Sequence, residues 1–266
     1  MTPPPIGEQS AAAVIARFLK ARGVQRVYAL CGGHIMPLWM RLDAEGIRIV
    51  DVRDERAAVY MAHAEAQLTG TLGVALVTAG PGVTNAMTGI ANAHVARASV
   101  MVLSGLPPTA QENRGALQDV VHTQLVASLT RYARTVRHPD LVPQELAEAA
   151  ARAQGEGGEP GPVYLDFPVD TLRADVTRAV QLPEMFHPPA ALPLPPHPEA
   201  VRAAVARLWS AKRPLFISGR GAKGAGSALS ALLERLGAAY LDTGESRGLV
   251  SDDHPSVRSE EHTAEL

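Results

Sequence analysis

The chain has a single cysteine, Cys31, among its 266 residues, so it cannot close a disulfide within itself. That suits a reducing compartment, and the cytoplasm is the expected location. Charge of one sign is not in excess: the formal net charge is -2 at pH 7. There is no basic run and no interleaving of aromatic residues with lysine and arginine, so the electrostatic footprint for nucleic acid is missing. No apolar run approaches the length that spans a bilayer, and the start, Met1-Thr2-Pro3-Pro4-Pro5, lacks the charged and apolar regions of a secretion signal. Neither export nor a membrane partner is expected. A nucleophile elbow, a His-Glu-x-x-His helix and a Walker A loop are not expected either. His34, His63, His94, His122 and His138 lack metal-ligand spacing and read as surface or packing residues, so no metal site is expected on this chain.

What is present alternates between strand and helix. At 46% hydrophobic residues the chain can bury a full core and fill more than one domain. Ala12, Val14, Ile15, Phe18 and Leu19 recur at helical spacing until Gly23 stops the pattern. Short apolar or β-branched runs follow at 26–30, 47–50, 73–77, 99–103 and 162–167, with helix-like segments between most of them. Near-continuous apolar strands in that alternation predict an α/β fold, a parallel sheet with helices on both faces.

The first domain is expected to occupy residues 1–178. Residues 179–198 hold Pro188, Pro189, Pro193, Pro195 and Pro196, which forbid a continuing helix or central strand, and read as a linker. A second α/β domain begins over 199–257, with strands at 214–217 and 238–241, too few to complete a sheet. Residues 258–266, RSEEHTAEL, share no apolar period with what precedes them and read as a non-native tail.

The residues that bear chemistry sit where strands end. After the first strand comes Cys31-Gly32-Gly33-His34, a turn in which paired glycines let the backbone approach a neighbour closely. The second strand runs into Asp51-Val52-Arg53-Asp54-Glu55-Arg56. This puts a carboxylate near the carboxyl end of a parallel strand, where open α/β sheets bind ligands. Taken alone, Glu55 could equally be a helix N-terminal acid favouring the macrodipole. The third strand leads into Thr78-Ala79-Gly80-Pro81-Gly82-Val83-Thr84-Asn85 and a helix of small residues that permit close approach of another chain or a flat ring. A polar loop follows the fourth strand, from Thr109 to Gln118.

Together with Arg114-Gly115-Ala116-Leu117-Gln118-Asp119 and Gly161-Pro162-Val163-Tyr164-Leu165-Asp166-Phe167-Pro168, these pieces resemble the pyrimidine-binding domain of the thiamine-diphosphate (ThDP) dependent enzymes, from about Glu8 to Leu172. Within them the chain is most similar to acetolactate-synthase-like proteins, including a branch of 2-hydroxyacyl-CoA lyases. The resemblance implies that Glu55 is catalytic: it shares a proton with N1′ of the aminopyrimidine, favouring the imino tautomer that deprotonates the thiazolium carbon. It also implies that Gly32, Gly33, Pro81 and Asn85 bind the cofactor and that His34 and Gln118 face the substrate. The implied activity is decarboxylation of a 2-keto acid and ligation of the fragment to a second carbonyl, with a 2-hydroxyacyl-CoA lyase or 2-keto acid decarboxylase as the alternative. Homodimers or homotetramers are implied for the full enzyme.

Some positions depart from the family pattern. Asp54 and Arg56 flank Glu55 where many relatives have histidine and glutamine, and Asp54 is expected to pair with Arg53 or Arg56. Val120-Val121-His122 stands where relatives often carry an acidic step. The Gly-Asp-Gly motif that holds Mg²⁺ and the diphosphate does not occur, so the chain alone is not expected to turn over. The competing class is a dinucleotide-binding oxidoreductase. Gly219-Arg220-Gly221-Ala222-Lys223-Gly224 follows a strand, with Asp242 beyond it, and Gly219, Gly221 and Gly224 would then cradle a nucleotide. By the resemblance this is instead the start of a Rossmann-like central domain, where FAD is a possible cofactor.

Overall fold

The computed structural model describes residues 6–177 and 195–258. The chain divides into two compact units, Met1–Ala190 and Ala191–Leu266. Most of the expected linker, and the expected tail apart from Arg258, lie outside the described residues.

The first unit opens with α1 (Ala11–Ala21), where the Ser10 hydroxyl caps the helix by accepting from the Ala13 amide. There follow β1 (Arg26–Ala29), α2 (Met36–Ala44), β2 (Arg48–Asp51), α3 (Glu55–Thr69), β3 (Gly73–Val77), α4 (Pro81–Val95) and β4 (Val100–Leu106). The unit ends with α5 (His122–Val126), β5 (Tyr132–Thr135), α6 (Val142–Gln154), β6 (Val163–Pro168) and α7 (Val169–Arg173). Six parallel strands run in the order β2-β1-β3-β4-β6-β5. The central strands β3, β4 and β6 are buried at every residue, which is why they read as unbroken apolar runs.

Helices cover both faces. On one, Phe18, Leu19, Leu38, Leu42 and Leu146 pack on the sheet; on the other, Val59, Val83, Ala86, Ile90 and Val126 do so. Strand β5 was not anticipated from the sequence. It is an edge strand whose Tyr-Ala-Arg-Thr string is only partly buried, so it carries no apolar run.

The strand order reverses at β1, which lies between β2 and β3. The crevice beyond the carboxyl ends of β1 and β3 is therefore the topological switch point, the usual ligand position in open α/β sheets. The Gly32-Gly33-His34 turn and the Thr78–Gly82 turn both open there.

The second unit comprises α8 (Pro198–Ser210), β7 (Leu215–Ser218), α9 (Gly226–Leu236) and β8 (Ala239–Asp242), with β7 and β8 parallel. Its core is small: Leu233, Ala238, Tyr240 and Val250. Arg258, the first residue of the expected tail, donates its amide to the Tyr240 carbonyl. Among the described residues no helix is long and apolar enough to cross a membrane.

Candidate active site

Glu55 is the first residue of α3, and Asp54 caps that helix by accepting from the Arg56 amide at 2.8 Å. The Asp54 carboxylate also takes three side-chain bonds from Arg56, one at 2.6 Å, while Arg53 turns to Asp51. The guanidinium of Arg56 beside it, and then the Arg56 backbone, hold Asp54 down at about 2. The charge next to Glu55 in sequence is thus already matched.

Asn85 lies near the start of α4 and donates from Nδ2 to Oε2 of Glu55 at 2.5 Å. Helices α3 and α4 can bring the two side chains together because Gly89 of α4 sits against α3. A Cβ on Gly89 would come within 2.7 Å of the Val59 Cβ.

Under this pair lies Thr78, at the end of β3. A Cβ on Gly32 would stand 2.4 Å from the Thr78 Cβ and Oγ1, and one on Gly82 would stand 3.0 Å from Thr78 Cγ2 and 3.6 Å from Glu55 Oε1. Gly32, Thr78, Gly82 and Glu55 therefore form one surface on which no further side chain fits. The buried Thr78 hydroxyl has no hydrogen-bond partner among the described residues, and its oxygen is shielded from a ligand by the packing around it. What a flat ring with a hydrogen-bonding edge would find here is the Glu55 carboxylate, beside the backbone at Gly82. Pro81 is exposed at the first position of α4. Gly33 is exposed with open space around its Cβ position, so nothing steric demands glycine there.

The expected substrate-side pair also meets. His34 Nδ1 and Gln118 Oε1 are 3.0 Å apart. Gln118 holds a left-handed backbone at φ 64, which for a side chain of this kind costs about 1–3 kcal/mol and marks a position fixed by its surroundings. One such constraint is Gly80, itself at φ 63, whose Cβ position lies 2.8 Å from the Gln118 Cβ. His34 is seated by β4, since a Cβ on Gly105 would meet the His34 carbonyl at 2.3 Å.

Of the two readings of His122, surface or packing, the structure gives the buried one: it is 1% exposed, its Nε2 accepts from the Gly80 amide at 2.7 Å, and its Nδ1 faces Asp166 Oδ2 at 3.0 Å. The Val120-Val121-His122 departure was the one sign of it in the sequence. Among the described residues no three of His, Cys, Asp or Glu are grouped so as to hold a metal ion.

In the second unit Gly219, Gly221 and Gly224 do follow a strand, and Asp242 pairs in register with Ser218. The turn contains a short 3-10 segment, Arg220–Ala222, and α9 starts only at Gly226. Gly244-Glu245-Ser246-Arg247-Gly248 has the Gly-x-Ser-x-Gly spacing, contrary to the expectation that no such string occurs. It is not a nucleophile elbow. Ser246 is 6% exposed, and its hydroxyl donates to the Ser218 carbonyl at 2.8 Å while accepting from Ser218 Oγ.

The chain is similar to known proteins along most of its length. Residues 9–126 match the thiamine pyrophosphate enzyme N-terminal TPP binding domain and residues 201–261 the thiamine pyrophosphate enzyme central domain, thiamine pyrophosphate being the same compound as ThDP. Human 2-hydroxyacyl-CoA lyase 2 is 37% identical over 95% of this chain and 45% of its own length. A probable 2-ketoarginine decarboxylase of Pseudomonas aeruginosa is 34% identical over 92% of the chain and 44% of its own. A probable acetolactate synthase of Mycobacterium bovis is 33% identical over 94% and 45%. The chain thus spans less than half the length of these curated relatives. It belongs to the thiamine pyrophosphate enzymes, in the acetolactate-synthase-like branch that includes 2-hydroxyacyl-CoA lyase 2.

Proposed function

We propose that this chain supplies the aminopyrimidine-activating side of a ThDP site, in an enzyme that breaks or forms a carbon–carbon bond next to a carbonyl. The Glu55–Asn85 hydrogen bond at the sheet's switch point carries the reading. When bound, ThDP supplies a carbon acid that, once deprotonated, attacks a carbonyl and accepts the electron pair of the broken bond.

Each residue then has a defined task. Asn85 occupies Oε2 of Glu55, leaving Oε1, beside Gly82, to hold and return a proton at N1′ of the ring. Gly32 and Gly82 let the backbone close on Thr78, and Pro81 walls the pocket. His34 and Gln118, bonded to each other, line the side from which substrate enters.

Both the 2-keto acid and the 2-hydroxyacyl reading persist as substrate classes. Identity favours the second by a small margin: relatives named 2-hydroxyacyl-CoA lyase 2 are 36–38% identical over 276–287 residues, against 33% over 261 for the acetolactate synthase. We assign Mg²⁺ and the diphosphate to the part of the enzyme that this chain does not cover, and a homodimer or homotetramer to the whole. FAD or a CoA-type nucleotide at Gly219–Gly224 would appear as bound flavin absorbance or as nucleotide protection of that turn.

The test is product analysis. A complete enzyme carrying residues 6–177 of this chain, given ThDP and Mg²⁺, is offered pyruvate and, separately, a 2-hydroxyacyl-CoA. An aldehyde from the second supports the lyase; an acetohydroxy acid from the first supports the synthase. No cofactor-dependent product from either class contradicts the proposal.

A further inference from the structure

Behind the site, and outside the roles given so far, lies a buried chain of polar groups. The Tyr164 hydroxyl donates to Asp166 Oδ2 at 3.0 Å, the same oxygen faces His122 Nδ1 at 3.0 Å, and His122 Nε2 meets the Gly80 amide at 2.7 Å. All three side chains are essentially inaccessible, at 0%, 0% and 1% exposure. It links β6, the start of α5 and the residue that precedes α4.

The direction of each bond follows from what the groups can do. A backbone N–H only donates, so Nε2 of His122 must be the unprotonated nitrogen. The ring proton is then on Nδ1 and is given to Asp166. Tyr164 is held in its protonated, donating form by burial and by the carboxylate beside it, both of which push its pKa well up. Among the described residues Gly80, buried at a backbone conformation of φ 63 and ψ −114, has its amide satisfied by this imidazole alone.

Gly80 is also the hinge between the two halves of the candidate site. Pro81 and Asn85 follow it on α4, and Gln118 fills the space that a Cβ on Gly80 would need. His122 lies four residues beyond Gln118, so the loop after β4 is fastened to Gly80 at two points. We propose that His122 is a positioning residue: locked in one tautomer by Asp166, it fixes the Gly80 peptide, and so sets Asn85 against Glu55 and Gln118 against His34 together. This rests on the proposed site, but its test needs neither cofactor nor turnover, so the two can fail separately.

The test uses the 266-residue chain and nuclear magnetic resonance. In the parent, a long-range proton–nitrogen spectrum should show His122 with its proton on Nδ1; a proton on Nε2 alone would overturn the proposal. In His122→Phe, which keeps a ring of similar size, amide exchange at Gly80 should quicken at least about tenfold relative to the folded remainder, and the Asn85 and Gln118 side-chain amide signals should shift. His122→Gln, which retains an acceptor and a donor, should restore both. Unchanged Gly80 exchange and unchanged Asn85 and Gln118 signals in a folded His122→Phe chain would show that His122 only fills space. Should that variant fail to fold, the tautomer in the parent decides.

Discussion

Asn85 donates to Oε2 of Glu55 at 2.5 Å, joining two helices whose starting points follow different strands of the sheet. One carboxylate oxygen is thereby fixed by the protein and the other directed to the switch-point crevice. Removing the amide should loosen the carboxylate without removing its proton chemistry. Asn85→Ala, in a complete enzyme carrying residues 6–177, should weaken ThDP binding by about tenfold, the size of a hydrogen bond near 1.4 kcal/mol. A fluorescence titration reads this, and unchanged affinity would mean that Asn85 does not serve the pocket.

The meeting of Glu55 and Asn85 depends on the close approach of α3 and α4 at Gly89. Alanine there gains about 1 kcal/mol in helix propensity. Overpacking a rigid core contact costs about 1–3 kcal/mol, and the neighbour is the branch point of Val59 at 2.7 Å, which cannot swing away. The clash should win. Gly89→Ala should destabilise the chain in urea unfolding, and Val59→Gly, which removes the atom it strikes, should cost less in that background than in the parent. Strict additivity of the two would place the contact elsewhere.

Asp54 gives a pH dependence of defined sign. Its carboxyl is held at about 2 against an ordinary 3.8, chiefly by the Arg56 side chain, so folding favours the ionised form. Its stabilising effect is complete above 3.8 and is lost as pH falls toward 2. The pair is exposed and screened, so the effect is small. Asp54→Asn should flatten the fall of the thermal midpoint across that window, and superimposable acid limbs would contradict the pairing.

How much was legible beforehand depends on how far apart in the chain the interacting groups lie. The strands β3, β4 and β6 were visible because a strand buried on both faces must be apolar throughout, whereas β5, an edge strand, needs only partial cover. Glu55, Pro81 and Asn85 stood out because each follows a strand end in a recognisable string. His122 did not, because its partners Gly80 and Asp166 are 42 and 44 residues away and no local spacing encodes them. Gly244–Gly248 has a catalytic spacing, yet burial and the bonds to Ser218 take up the Ser246 hydroxyl.

The central claim is that Glu55 holds the proton at N1′ and is not merely an acid at a helix start. Glutamine keeps its size and its capacity to hydrogen-bond but cannot share an acidic proton. The direct measurement is hydrogen–deuterium exchange at C2 of ThDP, at saturating cofactor, in a complete enzyme carrying residues 6–177 with and without Glu55→Gln. A general acid–base role is worth about 10²–10⁴-fold, so exchange should slow by roughly that factor while the fold persists. Exchange as fast as in the parent would reduce Glu55 to a favourable charge at the start of α3 and contradict the account.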